Sequence, residues 1–239
     1  MRIVIAGPPK TGNVWLKCLL AAIYDLQALG PRRSPAEPKI EAFAAWVAAG
    51  GFKDGTVFHQ HYDYSPELAD AIAAVPAHNV TIVRDPYDAF VSSYFTLQQH
   101  VGSGSRGGGG RAALMGKPLD HPDVLDYLRQ GGFRRHLIKA TAWLESGRSI
   151  VGRYEALHAD PIAALTRITD QIAPVAPAVI VRAVEACSAE NLRKIGGNAA
   201  KHVRAAKVGE SRERLNDEHL AIFRERYPDM IRRLGYEVR

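Results

Sequence analysis

The sequence predicts an α/β protein with three layers, α/β/α, built around a mostly parallel sheet. Short apolar runs typical of buried strands alternate along the chain with segments whose apolar residues recur at helical spacing. The chain has 239 residues, of which 46% are hydrophobic, which is enough to bury one sizeable core. We therefore expect a single domain over residues 1–239, interrupted by a flexible loop at about 101–121.

The first strand is the apolar run Ile3 to Ala6, and a turn leads from it into a helix. The turn from Gly7 to Gly12 has the G-x-x-x-x-G frame of a phosphate-binding loop, which favours a P-loop NTPase-like topology. That motif continues with Lys and Ser/Thr, whereas Asn13 and Val14 stand here and the lysine comes earlier, at Lys10. The pattern predicts a cradle for an anion at a helix N-terminus, without the hydroxyl that holds Mg²⁺.

The remaining elements continue the alternation. Ser65-Pro66 is typical of a helix start, and six glycines between Gly102 and Gly110 indicate the beginning of the flexible loop. We predict strands at 56–59, 80–83 and 149–152, and helices at 36–49, 66–76, 86–99, 122–130, 133–146, 161–172, 177–186 and 216–233.

Charge and cysteine content limit the function classes. The formal net charge of +6 favours anionic ligands, but no nucleic-acid recognition motif accompanies it. The two cysteines, Cys18 and Cys187, are far apart and lack metal-ligand spacing, so we expect no metal site and a reducing compartment without disulfides. No secretory signal precedes the first strand and no apolar run can span a bilayer, which predicts a cytoplasmic protein.

Three polar groups are expected at the carboxyl ends of the strands, where parallel sheets bind ligands. They are the loop from Lys10 to Trp15, the pair His59 and His61, and Arg84, with Ser92 eight residues further on. Each group has an ordinary structural explanation: edge histidines, an Arg-Asp-Pro turn, a back-bonded helix serine. Their joint occurrence at one sheet edge favours an anion-binding site.

Two of these motifs resemble the sulfotransferases that use 3′-phosphoadenosine 5′-phosphosulfate (PAPS). PKTGNVW (9–15) resembles their 5′-phosphosulfate loop, and RDPYDAFVSSYF (84–95) resembles their 3′-phosphate segment, Arg-Asn/Asp-Pro-x-Asp-x-x-x-Ser. The resemblance implies PAPS as co-substrate and no metal. It implies these cofactor-binding residues: Lys10, Thr11, Gly12, Asn13, Val14, Trp15, Arg84 and Ser92.

Three weaker matches extend the resemblance to about residue 215. FHQHYDYSPEL (58–68) matches the place of the family's catalytic histidine, which gives His61, and GRYEAL (152–157) gives Tyr154 near the adenine. RAAKVGESRERL (204–215) resembles the C-terminal loop that closes over the 3′-phosphate, through Arg204 and Gly209. Ala205, Ala206 and Ser211 stand where that loop has Lys, Gly and Trp.

The resemblance implies metal-independent, in-line transfer of a sulfuryl group to an acceptor hydroxyl. Lys10 would stabilise charge on the 5′-phosphate and His61 would act as the base, with His59 as the alternative base. The acceptor class stays open between a small molecule, a peptide and a glycan, and so does the oligomeric state. Two other functions remain as alternatives: a P-loop kinase or NTPase, and a non-catalytic protein that binds adenosine bisphosphate.

Overall fold

The computed structural model of the chain describes residues 1–99, 114–188, 190–191 and 207–239. These residues form two compact units, the first drawn from 1–83 and 142–207 and the second from 84–141 and 208–239. Arg204 and the glycine-rich stretch Gly102 to Gly110 lie outside the described residues. The organisation as one domain stays a prediction.

The first unit contains a five-stranded sheet in which every pair of neighbouring strands is parallel. The strand order is β2-β3-β1-β4-β5, which confirms the expected α/β class with a mostly parallel sheet. The strands are β1 (Arg2–Ala6), β2 (Gln27–Ala28), β3 (Thr56–Gln60), β4 (Ala77–Val83) and β5 (Ile150–Arg153). The two-residue strand β2 was not predicted, because two residues are too few to show a periodic pattern.

The described residues form the following helices, numbered in chain order. They are α1 (Asn13–Tyr24), α2 (Ile40–Ala48), α3 (Pro66–Ala74), α4 (Pro86–Gln98), α5 (Pro122–Arg129), α6 (Arg134–Glu145), α7 (Tyr154–Ala159), α8 (Pro161–Ile172), α9 (Pro177–Ala186), α10 (Ser211–Arg214), α11 (Asp217–Arg226) and α12 (Pro228–Arg233). The single helix predicted at 216–233 is two helices, because Pro228 cannot continue the hydrogen-bonding pattern of the helix before it. The short helix α7 was not predicted.

An aromatic core packs against one side of the sheet in the first unit. Phe43, Phe58 and Trp143 are almost fully buried there, together with Val4 of β1. The indole N–H of Trp143 donates to the backbone carbonyl of Tyr62 at 3.0 Å. This bond ties the chain just beyond the end of β3 to the core, so the residues that follow β3 are held in place.

The expectation of a chain without disulfides was wrong. Cys18 of α1 and Cys187, the residue directly after α9, form a disulfide with their Cα atoms 6.1 Å apart. The two helices pack against each other, which brings together cysteines separated by 169 residues in sequence. No local sequence pattern carries that information, so counting and spacing of cysteines could not find the pair.

No helix among residues 1–99, 114–188 and 207–239 has the length and apolar character needed to cross a membrane.

Reduction of the disulfide is expected to destabilise the protein. A cross-link over so long a loop restricts the unfolded chain, so we expect dithiothreitol to lower the free energy of unfolding by about 2–4 kcal/mol. Denaturant titration with and without the reductant measures the change. The double variant Cys18→Ser/Cys187→Ser is the control and should not respond to dithiothreitol. Two free thiols in the untreated protein would contradict the disulfide.

Candidate functional site

The turn between β1 and α1 has a constrained backbone. Lys10 has φ +67° and Gly12 has φ +107°, so both lie in the left-handed region. Glycine adopts this conformation freely, but a lysine does so at a cost of about 1–2 kcal/mol. A strained non-glycine residue at the end of a central strand is a common mark of a functional site. The strain therefore singles out Lys10 within the loop.

The side chains of Thr11 and Asn13 hold this loop together. Both residues are buried, and both donate to the carbonyl of Pro8, at 3.1 Å from Thr11 Oγ1 and 2.8 Å from Asn13 Nδ2. Their polar side-chain atoms are thus used inside the loop. Any contribution of these two predicted residues to ligand binding would come from their backbone N–H groups.

The N-terminus of α1 presents backbone donors. No side chain in the described part of the chain caps this helix, and its first turn has no acidic residue. The first turn includes the predicted residues Val14 and Trp15. Uncapped N–H groups and the positive end of the helix dipole form a site suited to an anion, as the sequence predicted.

Two aromatic rings lie beside this helix start. Trp15 and Tyr154 meet edge to face, with ring centroids 6.0 Å apart, and the Trp15 indole donates to the carbonyl of Cys187 at 3.1 Å. Tyr154 is buried and begins α7 directly after β5. A Cβ atom on Gly12 would lie 2.7 Å from Cδ2 of Tyr154. Glycine is therefore required here both by its φ angle and by the tyrosine ring.

His61 lies against the same turn. Ala6 pairs with Gln60 in the parallel register of β1 and β3, so the residues that follow them, Gly7 and His61, are neighbours. The His61 Nδ1 atom is 3.2 Å from the carbonyl oxygen of Gly7. A carbonyl can only accept, so this contact is a hydrogen bond in the tautomer with the proton on Nδ1, and in that tautomer Nε2 has the lone pair that a general base needs.

Gln60 supports the candidate site, and sequence reasoning did not single it out. Its Oε1 accepts the backbone N–H of His61 at 2.9 Å, and its Nε2 donates to the carbonyl of Pro35 at 2.9 Å. The glutamine thus fixes the backbone on which the histidine stands. Its position between His59 and His61 is the sequence feature that could have pointed to it. The ring centroids of those two histidines are 5.8 Å apart.

The second unit holds the other predicted group. Arg84 follows β4 directly and is 9% exposed, and its Nη2 atom is 3.9 Å from Oδ2 of Asp88 in α4. The same Oδ2 accepts the backbone N–H of Gly209 at 2.6 Å. Ser92 stands one turn beyond Asp88 on α4. The structure thus brings Arg84 and Gly209 to the carboxylate of Asp88. Sequence reasoning did not single out Asp88.

The described residues contain no group of three or more His, Cys, Asp or Glu side chains that could hold a metal ion.

Comparisons with known proteins place these motifs in context. The family model of the Sulfotransferase domain matches residues 1–235. Mouse sulfotransferase SULT7A1, complexed with PAP (adenosine 3′,5′-bisphosphate), is similar in structure, with TM-score 0.72 and 16% identity. The match covers 97% of this chain and 84% of the mouse chain. Retinol dehydratase in complex with androsterone and the inactive cofactor PAP gives TM-score 0.63 and 14% identity, covering 100% of this chain and 82% of that chain. None of the curated proteins compared matches the sequence.

Gly12→Ala is expected to abolish nucleotide binding. The new methyl group would meet the Tyr154 ring at a φ angle that alanine rarely adopts, so the loop and the ring cannot keep their positions. Calorimetric titration with adenosine 3′,5′-bisphosphate (PAP) measures the loss. Gly55→Ala is the matched control, since Gly55 has φ +74° with no atom within 4 Å of its added Cβ. That control should lose about 1 kcal/mol of stability and keep its affinity. Equal affinities for both variants would contradict the role given to Gly12.

Proposed function

The chain belongs to the sulfotransferase domain family, and from this premise we propose how its residues move a sulfuryl group from PAPS to an acceptor hydroxyl. The observation that carries the proposal is the turn after β1. It combines a strained Lys10, an uncapped helix N-terminus and the ring nitrogen of His61 at one edge of the sheet.

The residues present fit the two phosphate groups of an adenosine bisphosphate, with one set of residues in each compact unit. The uncapped start of α1 suits the 5′-phosphate, and the rings of Trp15 and Tyr154 suit stacking with a base. Arg84 suits a second phosphate, because a buried guanidinium binds phosphate oxygens through paired donors. Gly209 is included from the sequence resemblance, since its own N–H is donated to Asp88. We propose that these groups, with Ser92, bind the 5′- and 3′-phosphates. Arg204 is included from the sequence resemblance alone.

We propose that Lys10 and the backbone N–H groups from Thr11 to Val14 stabilise the charge that develops on the 5′-phosphate. PAPS supplies the sulfuryl group and carries that growing charge as the group departs. A fixed ammonium group and preorganised backbone donors lower the barrier without reorganisation during the reaction. The hydroxyls that would serve Mg²⁺ in a P-loop NTPase are not required for this work.

His61 is the proposed base. Its Nδ1 proton is held by the Gly7 carbonyl, so Nε2 can take the proton of the attacking hydroxyl. His59 is the alternative base, but the hydrogen bond from His61 to the loop after β1 favours His61.

We propose that the acceptor is the hydroxyl of a small molecule. Retinol dehydratase, similar in fold, was crystallised with androsterone and with retinol, both of which are small hydroxylated molecules. The alternative acceptors are a peptide and a glycan, and the panel of acceptors in the following experiment distinguishes them from a small molecule.

The function is tested with labelled PAPS. The protein is incubated with a panel of alcohols, phenols, hydroxylated peptides and glycans, with and without a chelator. The proposal expects a sulfated small-molecule product at the same rate in both conditions. PAP binding without any sulfated product would instead support a non-catalytic adenosine-bisphosphate-binding protein. A rate that depends on Mg²⁺, with a nucleoside triphosphate as donor, would support a kinase or NTPase.

His61→Ala is expected to lower kcat by about 10²- to 10⁴-fold, because the hydroxyl loses the group that removes its proton. PAP affinity, measured by calorimetry, should stay within about threefold because the histidine is not assigned to the nucleotide. His59→Ala serves as the matched variant and should retain most of the activity. A reversed order of the two variants would identify His59 as the base.

Lys10→Gly is expected to make the protein more stable and much less active. Glycine relieves the left-handed strain, which should raise the free energy of unfolding by about 1 kcal/mol. Loss of the ammonium group should lower kcat/KM by about 10²- to 10³-fold. Denaturant titration and steady-state kinetics measure the two effects. A variant that is both active and more stable would show that the strain has no catalytic purpose.

A further inference from the structure

Asp88 is a buried carboxylate that joins two parts of the second unit. It is 1% exposed, in the first turn of α4. Its Oδ2 accepts the N–H of Gly209 at 2.6 Å and its Oδ1 accepts the N–H of Ser211 at 2.9 Å. Both oxygen atoms are therefore bound to the backbone of the segment that precedes and begins α10.

The same carboxylate also faces Arg84. The Arg84 Nη2 atom is 3.9 Å from Oδ2, four residues earlier in the chain. Burying a carboxylate costs free energy unless a cation or hydrogen-bond donors lie next to it. Asp88 has both kinds of neighbour, namely the Arg84 guanidinium and two backbone N–H groups.

We infer that Asp88 is a positioning residue for the 3′-phosphate site: it holds the Gly209 segment and the Arg84 guanidinium in the arrangement that receives this phosphate. The inference rests on the proposed function, in which Arg84 binds the phosphate and the segment that contains Gly209 forms part of the same site. Asp88 stands inside the motif at residues 84–95, but the resemblance gives it no role. It does not touch the nucleotide in this scheme and acts through the two groups it holds.

A second contact supports an ordered Gly209 segment. The Arg239 Nη2 atom donates to Oγ of Ser211 at 2.8 Å, while the Ser211 N–H is bound to Asp88. The segment is thus held through both the backbone and the side chain of Ser211.

Asparagine is the informative replacement for Asp88. It keeps the size of the side chain but has one acceptor oxygen, and its amide NH₂ would face one of the two backbone N–H donors. It also removes the negative charge beside Arg84. The variant Asp88→Asn should therefore release the Gly209 segment and leave the guanidinium less well oriented.

The experiment compares two nucleotides that differ only in the 3′-phosphate. Calorimetry gives the dissociation constants of PAP and of adenosine 5′-monophosphate (AMP) for the wild type and for Asp88→Asn. We expect the variant to bind PAP about 10- to 100-fold more weakly, with AMP affinity within about threefold of the wild type. Equal weakening of both nucleotides, or no change in either, would overturn the inference.

The matched control is Asp123→Asn. Asp123 also stands in the first turn of a helix, α5, but its carboxylate is 46% exposed and pairs with Lys117. This variant should keep the wild-type preference for PAP. If it loses that preference to the same extent as Asp88→Asn, the effect is not specific to Asp88 and the inference fails.

A measurement on the wild type keeps the inference testable if Asp88→Asn does not fold. Hydrogen exchange of the unliganded protein should show protected amides at Gly209 and Ser211, because both are bound to a buried acceptor. Exchange at the rate of an unstructured chain would overturn the inference. Failure of the wild type to bind PAP would contradict the proposed function itself. The comparison of PAP with AMP in the variant tests only the role of Asp88.

Discussion

The site depends on the parallel pairing of β1 with β3 on one side and β4 on the other. The pairing of Ala6 with Gln60 ends β1 and β3 at the same level, so the Gly7 carbonyl meets His61. A shift of one residue would move the histidine by about 3.3 Å and break that bond. The pairing with β4 likewise sets where the chain leaves the sheet at Arg84. β1 is buried from Ile3 onward. A change of register would therefore also disturb the packing of the core.

The loop after β1 contains two kinds of polar group: side chains that bond within the loop, and backbone N–H groups at the start of α1 that no side chain of the described residues caps. Thr11 and Asn13 bind the Pro8 carbonyl, which fixes the loop before any ligand arrives. In the proposed function, the backbone N–H groups at the start of α1 bind an anion without further ordering of the chain. Donors that are already in place before the reaction are usually a large source of electrostatic stabilisation in enzymes. The strain at Lys10 is consistent with it, since folding holds the lysine in a conformation that the isolated residue disfavours.

The sequence predicted the features that local patterns encode and missed those that depend on packing. Apolar runs identified β1 and β4, and the motif at the first turn identified Lys10. The disulfide between Cys18 and Cys187 spans 169 residues, and the bond from Gly209 to Asp88 spans 121. Neither contact follows from periodicity, because each forms only when distant helices or segments pack together. Sequence reasoning also assigned ligand roles to Thr11 and Asn13 without showing that their side chains close the loop.

A buried carboxylate beside a proposed phosphate site needs a physical explanation, since two anions repel each other. Removing an ionised carboxylate from water costs several kcal/mol. Asp88 recovers part of this through two charge-assisted hydrogen bonds, each worth about 1.5–3 kcal/mol, and through Arg84. Its position in the first turn of α4 adds the favourable end of a helix dipole. These contacts offset the cost of burying the carboxylate, and in return the carboxylate restrains Gly209, Ser211 and Arg84.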